Sequence, residues 1–183
     1  MNGFWFFAGL FVFILIVIEI PMFAGIFSAS PWLPTPKKDL ERINRFADLK
    51  GGQTFFDIGC GDGRICNYLY KHNPGVRVTG FEIAYPLYLW SKVQARFARE
   101  KSGLNRGRSL EIKLQDIFKV DFSKVDVVYF WGIKRGVEKL KPKFMEMKKG
   151  SKIIIYFDEI KGRKYAIKDQ PERTDIPIYV YEN

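Results

Sequence analysis

The sequence predicts an α/β fold, in which a mostly parallel sheet has helices on both faces and follows one apolar helix. Strand-like runs alternate with helix-like runs from Thr54 to Phe157, which is typical of a parallel sheet. A glycine-rich turn at 59–63 follows the first of these strands, where such sheets bind their ligands. The run from Phe4 to Phe27 contains 24 residues and one charge, which predicts the apolar helix.

The composition is compatible with one ordinary domain behind the apolar run. Hydrophobic residues make up 47% of the 183, enough to bury a core. We divide the chain into an N-terminal transmembrane anchor (1–30), a linker with a first helix (31–53) and a ligand-binding domain (54–183). The net charge of +10 is compatible with a phosphate-rich partner, either nucleic acid or an anionic membrane face, and equally with a solvated basic surface.

Metal binding is not expected. The cysteines and histidines are Cys60, Cys66 and His72, fewer than the four ligands of a structural zinc site. The residues between the two cysteines look like a turn that enters a helix. We therefore expect free thiols, which suit a reducing compartment.

The apolar run is long enough to span a bilayer. As a helix it would extend about 36 Å, more than the hydrocarbon core. A signal peptide is the competing interpretation, but no Lys or Arg precedes the run, and Pro31 follows the small residues of the candidate cleavage region. Four cations follow the run: Lys37, Lys38, Arg42 and Arg45. The positive-inside rule then predicts a single-pass membrane protein with its N-terminus outside and its domain on the cytoplasmic (inner) side.

The body begins with a proline-rich linker, in which Thr35 can cap a helix whose first turn contains Pro36. The predicted strands are TFFDI, VRVTGFE, SLEIKLQD, KVDVVYF, SKIIIYF and a late IPIYVYE. A long helix, PLYLWSKVQARFAREK, lies between the second and third strands. We expect its apolar residues Leu89, Val93 and Phe97 to face inward.

The glycine turn differs from a dinucleotide fingerprint, because it reads G-x-G-x-G rather than G-x-G-x-x-G. Asp57 precedes its first glycine by two residues. Glu82 ends the second strand, where a carboxylate can accept both ribose hydroxyls of an adenosine. Asp116 ends the third strand, where a carboxylate can accept from the adenine amino group. Together these residues indicate an adenosine with a short charged tail, and the sequence contains no P-loop.

This arrangement resembles the class I S-adenosylmethionine-dependent methyltransferases, over Thr54 to Gly150 and most specifically in DIGCGDGR. The resemblance implies a Rossmann-like sheet and S-adenosyl-L-methionine as cofactor. It implies that the acid and glycines of the turn hold the amino-acid end, that Glu82 holds the ribose and that Asp116 holds the adenine. The implied cofactor residues are Asp57, Gly59, Gly61, Gly63, Glu82 and Asp116.

The sequence also resembles the small membrane-anchored lysine methyltransferases. The resemblance lies in the apolar run and in the segments PWLPTPKKDLERI, FFDIGCGDGR and GFEIAYPLYLWSK. Those enzymes act on the mitochondrial ATP synthase c-subunit and adenine nucleotide translocase. The resemblance implies a membrane-protein substrate with a lysine acceptor. Two segments depart from that family: Ala84-Tyr85 replaces Asn-Pro, and the turn FWGIKRG differs. Both lie near the predicted acceptor side.

The acceptor side has two candidate residues. Thr35 lies over the cofactor in the resembling family, although a helix cap explains it equally well. Trp131, at the end of the fourth strand, either lines the acceptor site or packs inside. The sequence indicates no general base. A lipid or quinone acceptor and a non-catalytic cofactor-binding module remain open, whereas nucleic acid is not expected, because the turn after the fourth strand lacks an Asn/Asp-Pro-Pro-Tyr/Phe signature.

Overall fold

A seven-stranded sheet forms the centre of the protein. The structure, a computed structural model, describes residues 3–13, 15, 33–101 and 107–183. The strand order is β3-β2-β1-β4-β5-β7-β6. Strands β1 to β5 pair in parallel, and β7 runs antiparallel to both β5 and β6. The strands are β1 Thr54–Ile58, β2 Arg77–Glu82, β3 Ser109–Leu114, β4 Val127–Gly132, β5 Lys152–Phe157, β6 Ile167–Asp169 and β7 Ile178–Glu182.

Helices cover both faces of this sheet, as the sequence predicts. The helices are α1 (3–13), α2 Lys37–Ala47, α3 Arg64–His72, α4 Tyr85–Lys101 and α5 Lys134–Met145, with a 3₁₀ turn at Ile117–Lys119. Helices α2, α3 and α4 share one hydrophobic core with one face of the sheet. Helix α5 packs into a second core on the opposite face. The predicted α/β architecture is confirmed.

The order of the strands places β1 at the switch point of the sheet. Its neighbours are β2 on one side and β4 on the other, so Asp57 lies beside Gly80 and Tyr129. The chain leaves β1 at Ile58 and β2 at Glu82, on the same edge. Ligands of open α/β sheets bind outside this edge, at the strand where the order reverses.

Helix α4 presents the opposite face to the one we predicted. Leu89, Val93 and Phe97 are exposed, whereas Ser91 and Ala95 are buried against the sheet. The reason is the close approach of α3, because a Cβ atom at Gly63 would lie 3.0 Å from the Cβ atom of Ser91. Small side chains are required at that contact, so the bulky ones lie on the outer face.

The predicted membrane localisation is wrong. Residues 3–13 and 15 are helical, but an 11-residue helix extends only about 17 Å, against a hydrocarbon core of about 30 Å. Among the residues that the structure describes, no helix combines the length and the apolar character needed to span a bilayer. The rest of the predicted anchor lies outside the described residues, namely residues 1–2, residue 14 and residues 16–30. The finer division of the chain at residues 31 and 54 stays a prediction.

A buried polar network holds α2 against the sheet. Asp39 accepts hydrogen bonds from the Tyr156 hydroxyl at 2.5 Å and from Arg42 Nη1 at 2.6 Å. Arg42 Nη2 in turn donates to Asp169 Oδ2 at 2.6 Å. Because Asp39 is 1% exposed, its charge needs both partners. The network therefore fixes the segment before α2, which includes Thr35, relative to β5 and β6.

Candidate active site

The glycine turn after β1 bends sharply and uses its own N–H groups internally. Gly59, Gly61 and Gly63 have φ angles of 85°, 54° and 76°, a region that side chains with a Cβ atom rarely adopt. The N–H groups of Gly59 and Cys60 both donate to the Phe81 carbonyl at 2.9 Å, and that of Gly63 donates to the Cys60 carbonyl at 2.8 Å. The bend is thus bonded to itself and to the end of β2.

Glu82 lies directly against this bend. Its Oε2 accepts from the N–H of Gly61 at 2.8 Å, and its Oε1 accepts from the N–H groups of Ile83 and Ala84 at 2.8 Å each. The residue is 7% exposed. A carboxylate offers about four acceptor positions, so three are occupied and one is open. To accept from two ribose hydroxyls, Glu82 would have to release one of its three backbone N–H groups. The N–H of Gly61 is the one that belongs to the glycine turn.

These hydrogen bonds decide which ligands suit the edge. A phosphate site needs several N–H groups directed at the anion. Here the N–H groups of Gly59, Cys60, Gly61 and Gly63 already have protein acceptors. Two buried carboxylates, Asp57 and Glu82, lie beside them. The edge can therefore accept from hydroxyl and ammonium groups, which fits an adenosine with a cationic tail and does not fit a pyrophosphate.

Asp57 is buried at the end of β1, with 2% of its surface exposed. Burial raises the pKa of its carboxyl group to about 7. The hydrogen bond from Cys66 Sγ at 3.4 Å opposes this rise in pKa, and the negative charges of Glu82 and Asp62 reinforce it. A cation beside Asp57 would favour its ionised form. Asp57 is therefore a group whose protonation responds to a bound ammonium near neutral pH.

Asp116 follows β3 at the same edge of the sheet. The preceding residue, Gln115, donates its backbone N–H to the Glu82 carbonyl at 3.0 Å. Asp116 is partly buried and begins a 3₁₀ turn, where its Oδ1 accepts from the N–H of Phe118 at 3.0 Å. The side chain has acceptor capacity left. The structure therefore brings the three predicted acids to neighbouring strand ends, around the glycine turn.

Two glycines allow this edge to pack closely. A Cβ atom at Gly63 would meet the Ser91 side chain, as described above, so this glycine serves the contact between α3 and α4. A Cβ atom at Gly80 would lie 2.8 Å from the Sγ atoms of both Cys60 and Cys66. The two cysteines are free and buried. Gly80 thus makes room for the thiol that donates to Asp57.

Thr35, one of the two predicted acceptor-side residues, lies next to β4. Its Oγ1 and the Tyr129 hydroxyl form a buried hydrogen bond of 3.2 Å, and its carbonyl accepts from Arg64 Nη1 at 2.7 Å. Arg64 is itself held by a two-pronged ion pair with Asp62. Trp131 is partly buried, and its ring meets that of Tyr156 edge-to-face with centroids 5.0 Å apart. The predicted helix cap at Thr35 is wrong: α2 begins at Lys37 with Pro36 as its N-cap and has no side-chain cap, because the Thr35 hydroxyl is bonded to Tyr129.

Sequence reasoning missed three residues that shape the site. Asp39 could have been found, because it lies four residues before Ile43 and eight before Ala47 on the buried face of α2. Arg64 and Gly80 gave no local signal. Their roles depend on contacts with Thr35 and with the two cysteines, which only the folded chain brings close.

Comparison with known proteins identifies the family. A family described as the ANTKMT methyltransferase domain matches residues 57–164, which include the glycine turn and all three acids. The chain belongs to this family. It is 31% identical over 155 residues to a protein-lysine N-methyltransferase of Saccharolobus islandicus (strain REY15A), with 82% of this chain and 92% of that protein aligned. The membrane-anchored type that the sequence resembles is not supported.

Solved structures show the same fold. An RNA methyltransferase from Salinibacter ruber in complex with S-adenosyl-L-homocysteine matches with a TM-score of 0.72 and 24% identity, over 82% of this chain and 93% of that one. A SAM-dependent methyltransferase from Thiobacillus denitrificans, also with S-adenosyl-L-homocysteine, matches with a TM-score of 0.52 and 19% identity, over 68% and 49%. At these identities the likeness shows the Rossmann-like fold alone.

The predicted enzyme class and cofactor are confirmed. The chain is an S-adenosylmethionine-dependent methyltransferase and a homologue of a protein-lysine N-methyltransferase. The chemistry of the sheet edge agrees, since it offers acceptors to hydroxyl and ammonium groups beside a sharply bent backbone.

Proposed function

We propose that the chain transfers a methyl group from S-adenosylmethionine to the side-chain amine of a lysine in a protein. The observation that carries this proposal is the relative from Saccharolobus islandicus, a protein-lysine N-methyltransferase that aligns with four-fifths of the chain at 31% identity. The alignment is long enough to include the acceptor side as well as the cofactor turn.

We assign the cofactor contacts from the hydrogen-bonding capacity of each group. Glu82 takes the ribose hydroxyls, through its open acceptor position and the one that Gly61 releases. Asp57 takes the α-ammonium, assisted by carbonyl oxygens around Gly59 and Gly61. Asp116 accepts from the adenine amino group. Gly63 contributes indirectly, because it allows the close contact between α3 and α4 that supports the turn.

When bound, the cofactor supplies a methyl group on a positively charged sulfur. The chain must then align a neutral lysine amine with that methyl group and keep water away, and alignment of this kind is worth about 7–11 kcal/mol in well-oriented reactions. Desolvation of the lysine lowers its pKa and so favours the neutral amine. Thr35, Tyr129 and Trp131 are the residues at the β4 end that we assign to this task, as walls of the acceptor channel.

The experiment uses the purified full chain, S-adenosylmethionine with a labelled methyl group, and two acceptors in parallel: a lysine-rich unfolded protein and total RNA. We expect label in the protein, located on lysine side chains by mass spectrometry. At limiting cofactor, Glu82→Gln should lower the transfer about tenfold or more, whereas Glu111→Gln, an exposed glutamate on β3, should leave it unchanged. Label in RNA alone would refute the lysine assignment and favour the nucleic-acid reading that the net charge of +10 permits.

A further inference from the structure

The outer face of α4 carries an apolar surface that the described part of the chain leaves uncovered. Leu89, Val93 and Phe97 recur every four residues and are about half exposed, as are Tyr85 and Trp90 beside them. We call these five residues the α4 stripe. A contiguous apolar patch of aromatic and aliphatic side chains on a folded domain marks an interaction site, since scattered single residues would be unremarkable.

Packing keeps the α4 stripe on the surface. Rotation of α4 to bury it would replace Ser91 at the sheet with a bulky side chain, and the contact with Gly63 leaves no room for one. Ser91 and Ala95 are 0% and 1% exposed. The stripe is therefore a fixed feature of the fold.

Cations lie along one side of the α4 stripe. Lys92, Arg96 and Arg99 are spaced i, i+4 and i+7 on α4, so they share one side of the helix. All three are held in place: Lys92 Nζ donates to the Tyr88 hydroxyl at 2.9 Å, Arg96 pairs with Glu100 at 2.9 Å, and Arg99 donates to the Leu110 carbonyl at 2.7 Å. An apolar surface with one positive edge is complementary to an apolar partner surface with a negative edge.

A cavity of about 610 Å³ adjoins the stripe at Trp90. Trp90 and Ala98 of α4 form one wall, and Tyr68 and Leu40 form part of the rest. Arg64 lies on its lining and also donates to the Thr35 carbonyl. The cavity thus extends from Trp90 of the stripe to Arg64, the side chain that holds the Thr35 carbonyl, and it has room for a large apolar side chain of a partner.

We propose that the α4 stripe and this cavity dock an acidic amphipathic helix of the protein substrate, an inference that rests on the proposed lysine methyl transfer. The stripe follows one face of a helix, and a second helix packs against such a face through residues at i, i+3, i+4 and i+7. Acidic side chains along one edge of the partner meet Lys92 and Arg96. An apolar anchor enters the cavity, and the acceptor lysine follows the helix toward Thr35.

Other occupants fit the charges less well. Helix α1 is apolar, but residues 3–13 contain no charged side chain, so it would offer no acid to Lys92 or Arg96. A second copy of α4 would place cations against cations. RNA would satisfy the cations, but it would leave the aliphatic Leu89 and Val93 without an apolar partner.

The test uses three synthetic peptides of roughly 18 residues, long enough to form a helix, each followed by a flexible lysine tail. One has a leucine face and glutamate flanks, one has the same leucine face with arginine flanks, and one has glutamate flanks with glutamine in place of leucine. Binding to the full chain is measured by fluorescence anisotropy, and methyl transfer to the tail is measured as kcat/KM.

The variants separate the two features of the surface. The triple variant Leu89→Gln, Val93→Gln, Phe97→Gln removes the apolar centre, and Lys92→Glu with Arg96→Glu reverses the flanks. Met145→Gln and Lys161→Glu are matched controls on exposed residues elsewhere. Affinity for S-adenosylmethionine reports whether each variant retains its fold.

We expect the glutamate-flanked leucine peptide to bind and react best, and each α4 variant to weaken its binding and kcat/KM about tenfold. The charge-reversed variant should then prefer the arginine-flanked peptide, which a purely structural role of these lysine and arginine residues would not produce. Equal kcat/KM for all peptides and variants overturns the docking site and leaves lysine methylation intact. Selective binding without methylation supports the docking site and counts against the proposed function. The α4 variants could instead lose self-association, RNA binding or binding to anionic vesicles. If they do so and the peptides show no selectivity, the proposal is also overturned.

Discussion

Glu82 Oε2 lies 2.8 Å from the backbone nitrogen of Gly61 and accepts its hydrogen bond. This bond joins the end of β2 to the glycine turn after β1, across the switch point of the sheet. It gives one carboxylate two tasks, because the group that we assign to the ribose also determines the shape of the turn. Changes at Glu82 should therefore affect the cofactor more than the loss of one hydrogen bond would.

Glu82→Gln should weaken S-adenosylmethionine binding about tenfold or more. The amide keeps one acceptor oxygen for Ile83 and Ala84, but its NH₂ group cannot accept from a ribose hydroxyl, and a buried donor left unsatisfied costs about 1–3 kcal/mol. Isothermal titration calorimetry with the full chain measures the effect. Glu111→Gln serves as the matched control, and equal affinities of the two variants would contradict the assignment of Glu82.

Cofactor affinity should rise with pH up to about 7, because burial raises the pKa of Asp57 to about 7. Below that pH Asp57 is protonated and cannot balance the α-ammonium of the cofactor. Above about pH 8 the ammonium itself loses its proton, so the curve should reach a plateau and then fall. Dissociation constants measured from pH 5.5 to 8.5 test this, and Asp57→Asn should remove the rise. If the affinity of Asp57→Asn still rose with pH, the rise would have to come from another titrating group.

The same carboxyl group should make the fold less stable as pH increases. In the unfolded chain Asp57 titrates near its ordinary pKa of 3.8, and in the folded chain near 7. Between these values the folded state binds more protons, so the free energy of unfolding declines as pH rises from about 4 to about 7. Asp57→Asn should become progressively more stable than the wild type over that range, measured by urea unfolding in the absence of cofactor.

Asp121→Asn is the control for this stability measurement. Hydrogen bonds with Ser123 lower the pKa of Asp121. The contribution of Asp121 to the free energy of unfolding is therefore already complete at pH 5 and is lost only at lower pH. The stability difference between this variant and the wild type should be flat from pH 5 to 8. A flat difference for Asp57→Asn as well would contradict the raised pKa of Asp57.

Much of the site could be predicted from local patterns, because its main groups follow directly from strand ends. Asp57, Glu82 and Asp116 each lie at or just beyond the end of a strand, and parallel strands bring such positions to one edge. The inward face of α4 could not be predicted in the same way. The face of α4 that turns inward is set by the contact between Gly63 and Ser91, which are distant in sequence. This contact excludes large side chains. Hydrophobic periodicity alone identifies an apolar face and does not say whether the fold has room for it.

Gly80→Ala should destabilise the fold by about 1–3 kcal/mol, the range for overpacked cores. The added methyl group would lie 2.8 Å from the sulfur atoms of Cys60 and Cys66 and 2.9 Å from Ile112 Cδ1. The displaced Cys66 would also lose its hydrogen bond with Asp57. Urea unfolding measures the first effect, and cofactor titration measures the second.

Gly51→Ala is the matched control for Gly80→Ala. Its Cβ atom would have an ordinary contact at 3.7 Å with the Pro74 carbonyl, so we expect little change in stability. If Gly80→Ala were as stable as Gly51→Ala, the close packing of the two thiols would not be required for the fold.

Tyr156→Phe should lower the free energy of unfolding by about 1–3 kcal/mol, because Asp39 is buried and would lose one of its two partners. The remaining partner, Arg42, would still balance its charge. Chemical unfolding of the full chain measures this. Tyr165→Phe, a partly exposed tyrosine whose ring packs near Tyr179, should leave stability nearly unchanged, and an equal loss in both variants would argue against the network around Asp39.

The most direct test of the site is a crystal structure of the full chain with S-adenosyl-L-homocysteine. We expect ribose hydroxyls within hydrogen-bonding distance of Glu82, the α-amino group beside Asp57 and the adenine amino group beside Asp116, with the Gly61 N–H released or shared. A ligand bound elsewhere, with Glu82 still holding the N–H groups of Gly61, Ile83 and Ala84, would contradict these assignments.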